Sequence, residues 1–254
     1  MGSLRGQTYL VTGSTDGIGQ HTALKLAQAG ANVILHGRNP QRVEAAKRAA
    51  EQAADKAAQG GQISAYVSDL SQPQQIKQFA ADVRKDHPAI NVLINNAGVF
   101  QDSKQLSKDG NEMTWQVNVL APYILTALLL DRVTDRIVNV ASISAASSID
   151  FNNLNQEQGF SSHNAYSLSK LATMLFTAEL ANQLKQANKN ITVNCLDPGT
   201  VNTKMLYTGW GPCGIDIKDA NDEYFLATSP SVAKTTGPDW RHVPLCTRIL
   251  KTTG

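Results

Sequence analysis

Cysteine is scarce in this sequence: Cys195, Cys213 and Cys246 are the three among 254 residues, an odd number with no C-x-x-C spacing. That pattern excludes a disulfide framework and the common zinc arrangements, and it argues for a reducing compartment. An excess of charge of one sign is also missing. Lys+Arg number 23 against 21 Asp+Glu, for a net charge of +2, and basic residues never run beyond two or three. No electrostatic footprint for nucleic acid or a membrane surface results, which leaves a small molecule as the expected partner. Long apolar runs are absent too. The longest, within 118–133, contains Pro122 and meets Asp131 and Arg132 short of the roughly 20 apolar residues a membrane span needs. It reads as a buried helix. No basic-then-apolar leader precedes the first strand near Tyr9, so the expected location is cytoplasmic. No repeat or linker divides the chain, and 1–254 reads as a single domain with an ordinary 42% hydrophobic and 17% charged residues.

What is present is an alternation. Short β-branched runs ("TYLVTG", "ANVILHGR", "QISAYVSDL", "INVLINNAG", "RIVNVAS", "ITVNCLDPG") are separated by longer helical patterns. The latter include a helix from Trp115 to Leu130, one from about Asn164 to Asn188 and one near Asp219 to Ala227. Strand followed by helix, repeated, predicts right-handed βαβ units, hence an α/β, Rossmann-type doubly wound parallel sheet of six to seven strands with helices on both faces. The strands are mostly apolar, as strands covered on both faces must be. Ligands of such sheets bind at the carboxyl ends of the strands.

The first strand runs into "TGSTDGIG", where Gly13, Gly17 and Gly19 enclose Ser14, Thr15 and Ile18 at the entrance to a helix. Glycines there permit a tight turn and close approach of a pyrophosphate, whose charge the free N–H groups and helix dipole stabilise. The spacing is G-x-x-x-G-x-G, and a tight structural turn is the plain alternative. The second strand ends "VILHGRN", with no acidic residue to hold a ribose 2′-hydroxyl and with Arg38 available for a 2′-phosphate. NADP is therefore favoured over NAD. Asp16 would repel a phosphate if it pointed that way.

In order, "TGSTDGIG", "NNAG" (95–98), Asn118, Ser142, Tyr166-x-x-x-Lys170 and "PGTVNT" (198–203) resemble the short-chain dehydrogenase/reductase family over residues 8 to about 203. "NNAGVF", "TWQVNVLAPYILT" and "AYSLSKLATMLFTAELA" are most similar to its retinol-dehydrogenase-like branch. The resemblance implies hydride transfer between a nicotinamide and a carbonyl or alcohol. Tyr166 would be the acid/base, Ser142 would orient the substrate oxygen, Lys170 would hold the ribose and Asn118 would anchor a relaying water. A free tyrosine has a pKa of about 10, and a lysine one helical turn away favours its ionised form. By the same resemblance Asp69 and Leu70 lie at the adenine, Asn95, Ala97 and Gly98 under the ribose, and Pro198, Gly199, Val201 and Thr203 around the nicotinamide; a strand-end cap is the alternative for Asp69, and holding the central sheet together is the alternative for Asn95. Homo-oligomerisation through the Asn164–Asn188 helix is implied as well. Ser144 rivals Ser142, which is preferred because it ends the "NVAS" strand. Residues of about 200–218 would form the substrate lid, with Leu206, Tyr207 and Trp210, helped by Phe151 or Phe160, either closing over an apolar substrate or serving as lid packing. The tail 238–254 departs from the family, and Pro238 would disturb a final central strand. Two other classes fit less well: a non-catalytic NADPH-binding regulator, which would not need the triad, and a sugar-nucleotide epimerase or dehydratase, which usually has another glycine spacing and a longer carboxyl-terminal domain.

Overall fold

The computed structural model describes residues 3–57 and 60–237. Six strands form one parallel sheet: β1 (Thr8–Val11), β2 (Asn32–Gly37), β3 (Ile63–Val67), β4 (Ile90–Asn95), β5 (Val133–Val140) and β6 (Thr192–Leu196). Their spatial order is β3-β2-β1-β4-β5-β6. The direction of winding reverses between β1 and β4, the switch point where such sheets open a crevice. The seventh strand that the sequence allowed, and the tail from Pro238, lie outside the described residues.

Helices α1 (Gly17–Gln28), α2 (Pro40–Asp55) and α3 (Pro73–Asp86) connect the first four strands. Asn39 caps α2, its side chain accepting the Arg42 N–H at 2.9 Å, and Pro40 occupies the first turn, where a missing N–H costs nothing. Alternation along the strands feeds two cores. Tyr9, Val11, Val33, Leu35, Val92 and Ile94 face α1 and α2, joined by Tyr224 and Leu226 of the later helix α8. Leu10, Ile34 and Leu93 face the other way, against Ile76 and Phe79 of α3 and residues of α5 and α6.

The helix expected over Trp115–Leu130 is composite: α4 (Met113–Trp115), a π-helical turn (Gln116–Leu120) and α5 (Ala121–Leu129). Pro122 explains the irregularity, because it has no N–H to donate to the Asn118 carbonyl four residues back. The Thr173 hydroxyl reaches that carbonyl instead, at 3.5 Å. The long helix α6 spans Ser162–Gln186, two residues ahead of expectation, with Ser161 as its cap. The lid contains a helix the sequence reading did not anticipate, α7 (Lys204–Gly209), which Thr203 caps by accepting the Leu206 N–H at 3.2 Å. The helix expected at 219–227 divides into a 3₁₀ turn (Ile217–Asp219) and α8 (Asp222–Thr228). Among the described residues, no helix is long and apolar enough to cross a membrane.

Candidate active site

A cleft of about 520 Å³ runs along the carboxyl edge of the sheet, from Arg38 at one end to Trp210 at the other. Its floor is the glycine loop. Gly13 has φ +66°, and a Cβ there would stand 2.8 Å from the Ala97 Cα, so only a bare backbone fits. Asn96 binds the loop to the fourth strand, its Nδ2 donating to the Thr12 carbonyl at 2.8 Å, while Thr12 Oγ1 accepts the N–H groups of Asn96 and Ala97, each at 3.0 Å. His36 adds a second tie. Its Nδ1 accepts the Gly13 N–H at 3.2 Å and its Nε2 lies 3.1 Å from the Ser68 carbonyl, so one ring joins the ends of three strands. Burial pushes the His36 pKa down to about 4, keeping the ring neutral and Nδ1 an acceptor. The sequence reading missed His36, because nothing in a strand-end histidine distinguishes a loop tie from a packed core residue.

Arg38 lines the cleft mouth as expected, and Arg42 of α2 stands beside it. Asp16 caps α1 by accepting the Gly17 N–H at 2.9 Å, and it also accepts from Arg42 Nη2 at 2.8 Å and Lys204 Nζ at 2.6 Å. Burial alone would raise its pKa, but the Lys204 ammonium and the Gly17 N–H more than offset that and hold it below the usual range. Its charge is thus engaged by two cations, which answers the concern that Asp16 would repel a phosphate. Asp69 and Leu70 lie on the cleft wall. The Asp69 carboxylate also serves its own turn, accepting from Ser71 N–H at 2.9 Å and Gln72 Nε2 at 3.1 Å.

Two residues assigned to cofactor binding do not reach this cleft. Ser14 is fully buried, its Oγ accepting the His36 N–H at 2.9 Å. Asn95 turns into the sheet, where its Nδ2 donates to Thr126 Oγ1 at 3.0 Å and Asn139 Oδ1 at 2.8 Å. Both act behind the binding surface. Thr15, Gly17, Ile18, Gly19, Ala97, Gly98, Pro198, Gly199, Val201 and Thr203 do line it.

Ser142, Tyr166 and Lys170 converge on the cleft. Tyr166 and Lys170 share one face of α6, with Lys170 Nζ 5.3 Å from the phenol ring centroid. That ammonium donates to the Val140 carbonyl at 2.8 Å. Here the electrostatics differ from the sequence expectation of a stabilised phenolate. Burial pushes Tyr166 up to about 12, with the Ser142 hydroxyl acting the other way and Asp197 adding to the rise. Burial pushes Lys170 down to about 8 against the attraction of Asp197. Desolvation decides the balance, so the phenol is held protonated. Asp197, at the end of β6, also lines the cleft and was missed by the sequence reading. Ser144 donates its N–H to Ser142 Oγ at 3.1 Å, which places Ser142, not Ser144, next to the phenol.

Asn118 sits in the π-helical turn with its side chain fully engaged: Oδ1 accepts Val99 N–H at 2.8 Å, and Nδ2 donates to the Val99 carbonyl at 3.0 Å and Ser169 Oγ at 3.1 Å. Beside it is a second cavity of about 10 Å³, walled in part by Asn95, Asn118, Lys170 and Thr173. That is space for the centre of about one water.

At the lid, Leu206 and Trp210 face the cleft, but Tyr207 is half exposed and Phe151 is 76% exposed; neither Phe151 nor Phe160 joins the wall. Phe100 and His163 instead pack behind Trp210, outside the wall. Their ring centroids lie 5.0 and 5.2 Å from Trp210, and Trp210 is 5.4 Å from Tyr166.

Comparison with known proteins places the chain in a family. The family model described as short chain dehydrogenase matches residues 7–209. Human retinol dehydrogenase 14 is 35% identical over 264 residues, covering 93% of this chain and 78% of the relative. Human retinol dehydrogenase 13 is 38% identical over 213 residues, covering 80% of this chain and 61% of the relative, so the chain spans less than two thirds of that protein. A short chain dehydrogenase from Shigella flexneri 2a str. 301, solved in complex with NADP, superposes with a TM-score of 0.72 at 26% identity, covering 92% of this chain and 96% of that one. The chain belongs to the short-chain dehydrogenase/reductase family, in its retinol-dehydrogenase-like branch, and is an oxidoreductase of CH–OH and C=O groups.

Proposed function

We propose that this chain is an NADP(H)-dependent oxidoreductase in which Tyr166 exchanges a proton with the oxygen of a carbonyl or alcohol substrate, aided by Ser142, Lys170 and Asn118. One observation carries this reading: the phenol, the serine and the lysine meet at one end of a single cleft whose other end is arginine-lined.

The residues present suit a dinucleotide. The glycine loop is a cradle that a Cβ at Gly13 would fill, and it opens at the positive end of α1. Arg38 and Arg42 suit a 2′-phosphate at the adenine end, Asp69 and Leu70 the adenine, Ala97 and Gly98 the ribose, and Pro198 through Thr203 the nicotinamide. An NADP complex of the Shigella relative agrees with that preference. When bound, the cofactor supplies hydride and, once oxidised, a positive charge near the phenol.

The chain's own part is proton chemistry. Tyr166, held protonated by burial, is poised as the acid of carbonyl reduction, and Ser142 is placed to hold the same oxygen. Lys170, near 8, gains and loses a proton close to neutrality and borders the one-water cavity at Asn118, which suits it to resupplying the proton from solvent. Self-association through α6 belongs to the same reading, with the exposed Leu175 and the exposed Tyr123 of α5, whose ring packs on Phe176, as contact residues.

Titrating the purified chain with NADPH and NADH, then adding aldehydes and ketones, tests this directly. Tight NADPH binding with carbonyl-dependent oxidation supports it, whereas binding without turnover across the panel would favour the regulator. Arg38→Glu should weaken NADPH binding roughly ten- to a hundredfold relative to NADH, the scale of one lost charged hydrogen bond. An unchanged ratio would pass the role to Arg42. Ser142→Ala should lower kcat roughly a hundredfold, as loss of a donor to the reacting oxygen does, with Ser144→Ala within a few-fold of the parent. Reversed effects would exchange their roles.

A further inference from the structure

The three-ring block at the substrate end is a construction of its own. Phe100 follows β4, His163 lies in the first turn of α6 and Trp210 ends the lid helix, so three separate segments meet there. Phe100 and His163 are 5.2 Å apart, and each packs on Trp210 within the distances that favour tilted or edge-on aromatic pairs. The lid helix packs directly on this ring: a Cβ at Gly209 would touch two Phe100 ring carbons at 3.4 Å, ordinary van der Waals contact. Trp210 meets the Tyr166 ring at 67°, and of the three block rings it is the one that lines the cleft. The same cleft is lined by the apolar or uncharged Val99, Ile143, Met205, Leu206 and Cys213, with Lys204 of the lid helix paired to Asp16.

Met205 and Leu206 have freer rotamers than Trp210, which is 39% exposed but packs on the Phe100, His163 and Tyr166 rings. The part of a substrate next to its carbonyl must therefore fit a fixed flat surface. A planar group gains an aromatic contact there, and a branched aliphatic group meets the same rigid wall without that gain.

We propose that Trp210 is the specificity-determining wall of the substrate site, held by Phe100 and His163 as positioning residues, and that it selects carbonyl compounds bearing an aryl group over branched aliphatic ones. This rests on the reading of Tyr166 as the acid, since that fixes where the carbonyl lies.

The test compares kcat/KM for benzaldehyde and for pivalaldehyde, with NADPH and the full chain. The parent should favour benzaldehyde, and Trp210→Ala should lower that ratio roughly tenfold, mainly through KM. Trp210→Phe should restore most of it, and Phe100→Leu should give an intermediate loss. A ratio that Trp210→Ala leaves alone, or an equal fall in kcat for both substrates, would overturn the proposal, the latter making Trp210 only a prop for Tyr166. Binding of benzyl alcohol and neopentyl alcohol to the NADPH complex, measured by calorimetry, gives the same ratio without chemistry. Preference for benzyl alcohol that is lost in Trp210→Ala supports the wall even if no carbonyl is reduced, and that failure would count against the oxidoreductase mechanism alone. Equal binding of the two alcohols by the parent would remove the wall.

Discussion

Tyr166→Phe should abolish carbonyl reduction while leaving NADPH affinity within about twofold of the parent. The change deletes one oxygen and keeps the ring, so the contacts with Phe100 at 5.7 Å and Trp210 at 5.4 Å remain. The hydroxyl's neighbour Ser142 still accepts the Ser144 N–H, so no buried polar group is orphaned. What is lost is the proton donor, a deficit of roughly a hundred- to ten-thousandfold in kcat. Stopped-flow reduction of a carbonyl, with NADPH affinity read by fluorescence, separates the two quantities. Because burial places the phenol at about 12, the parent's Tyr166 stays protonated across pH 6–9 and should impose no fall in reduction rate there. Lys170, at about 8, is the group whose titration should appear in that range. Retained turnover in Tyr166→Phe would remove the tyrosine as the acid.

The sheet was legible because its signals are local. Strands of four to eight mostly apolar residues between helices of helical period can hardly be arranged otherwise, and "TGSTDGIG" and Tyr166-x-x-x-Lys170 each hold their chemistry within a few residues. Interactions between distant segments were not legible. Asp16 looked like a lone negative charge in the phosphate loop, yet its partners Arg42 and Lys204 are 26 and 188 positions away. Ser14 has the right name for a site but its side chain is turned inward onto His36, and Asn95 takes the sheet-holding role, neither of which a short motif encodes. Phe100 and His163, rather than Phe151 or Phe160, pack on Trp210, because rings from separate segments meet only in the fold. The helix α7 escaped because six residues rich in hydroxyl and glycine neighbours carry no periodicity, and only the Thr203 cap marks its start.

Glu223→Gln should stabilise the fold above neutral pH and leave it nearly unchanged at pH 5. Glu223 lies in α8, packed on α1, and is 1% exposed. Neither of its oxygens, nor the Thr22 hydroxyl near it, has a hydrogen-bond partner among the described residues. Burial pushes its pKa from 4.5 up to about 8, with Thr22 pulling weakly the other way. A buried carboxyl without a partner is held neutral, and forcing it to ionise costs free energy. The direction of the pH effect follows from proton counts. Between about 4.5 and 8 the folded chain keeps this proton and the unfolded chain releases it, so the unfolded state binds fewer protons and stability falls as pH rises. The contribution is fully present below the unfolded value, is lost through that window and levels off above the folded one. Its size is of order a few kcal/mol, about 1.4 kcal/mol for each unit of pH inside the window. Glutamine keeps the shape and cannot ionise, so the variant should lack this slope. Groups with lowered pKa, Asp16 below the carboxylate range and His36 between about 4 and 6.5, are common to variant and parent and cancel in the difference. Urea unfolding of both chains from pH 5 to 9 reads that difference, which should be near zero at pH 5 and grow toward pH 8. Glu223→Met guards against an effect peculiar to the amide, and parallel curves for all three chains would show that the carboxyl is solvated or paired.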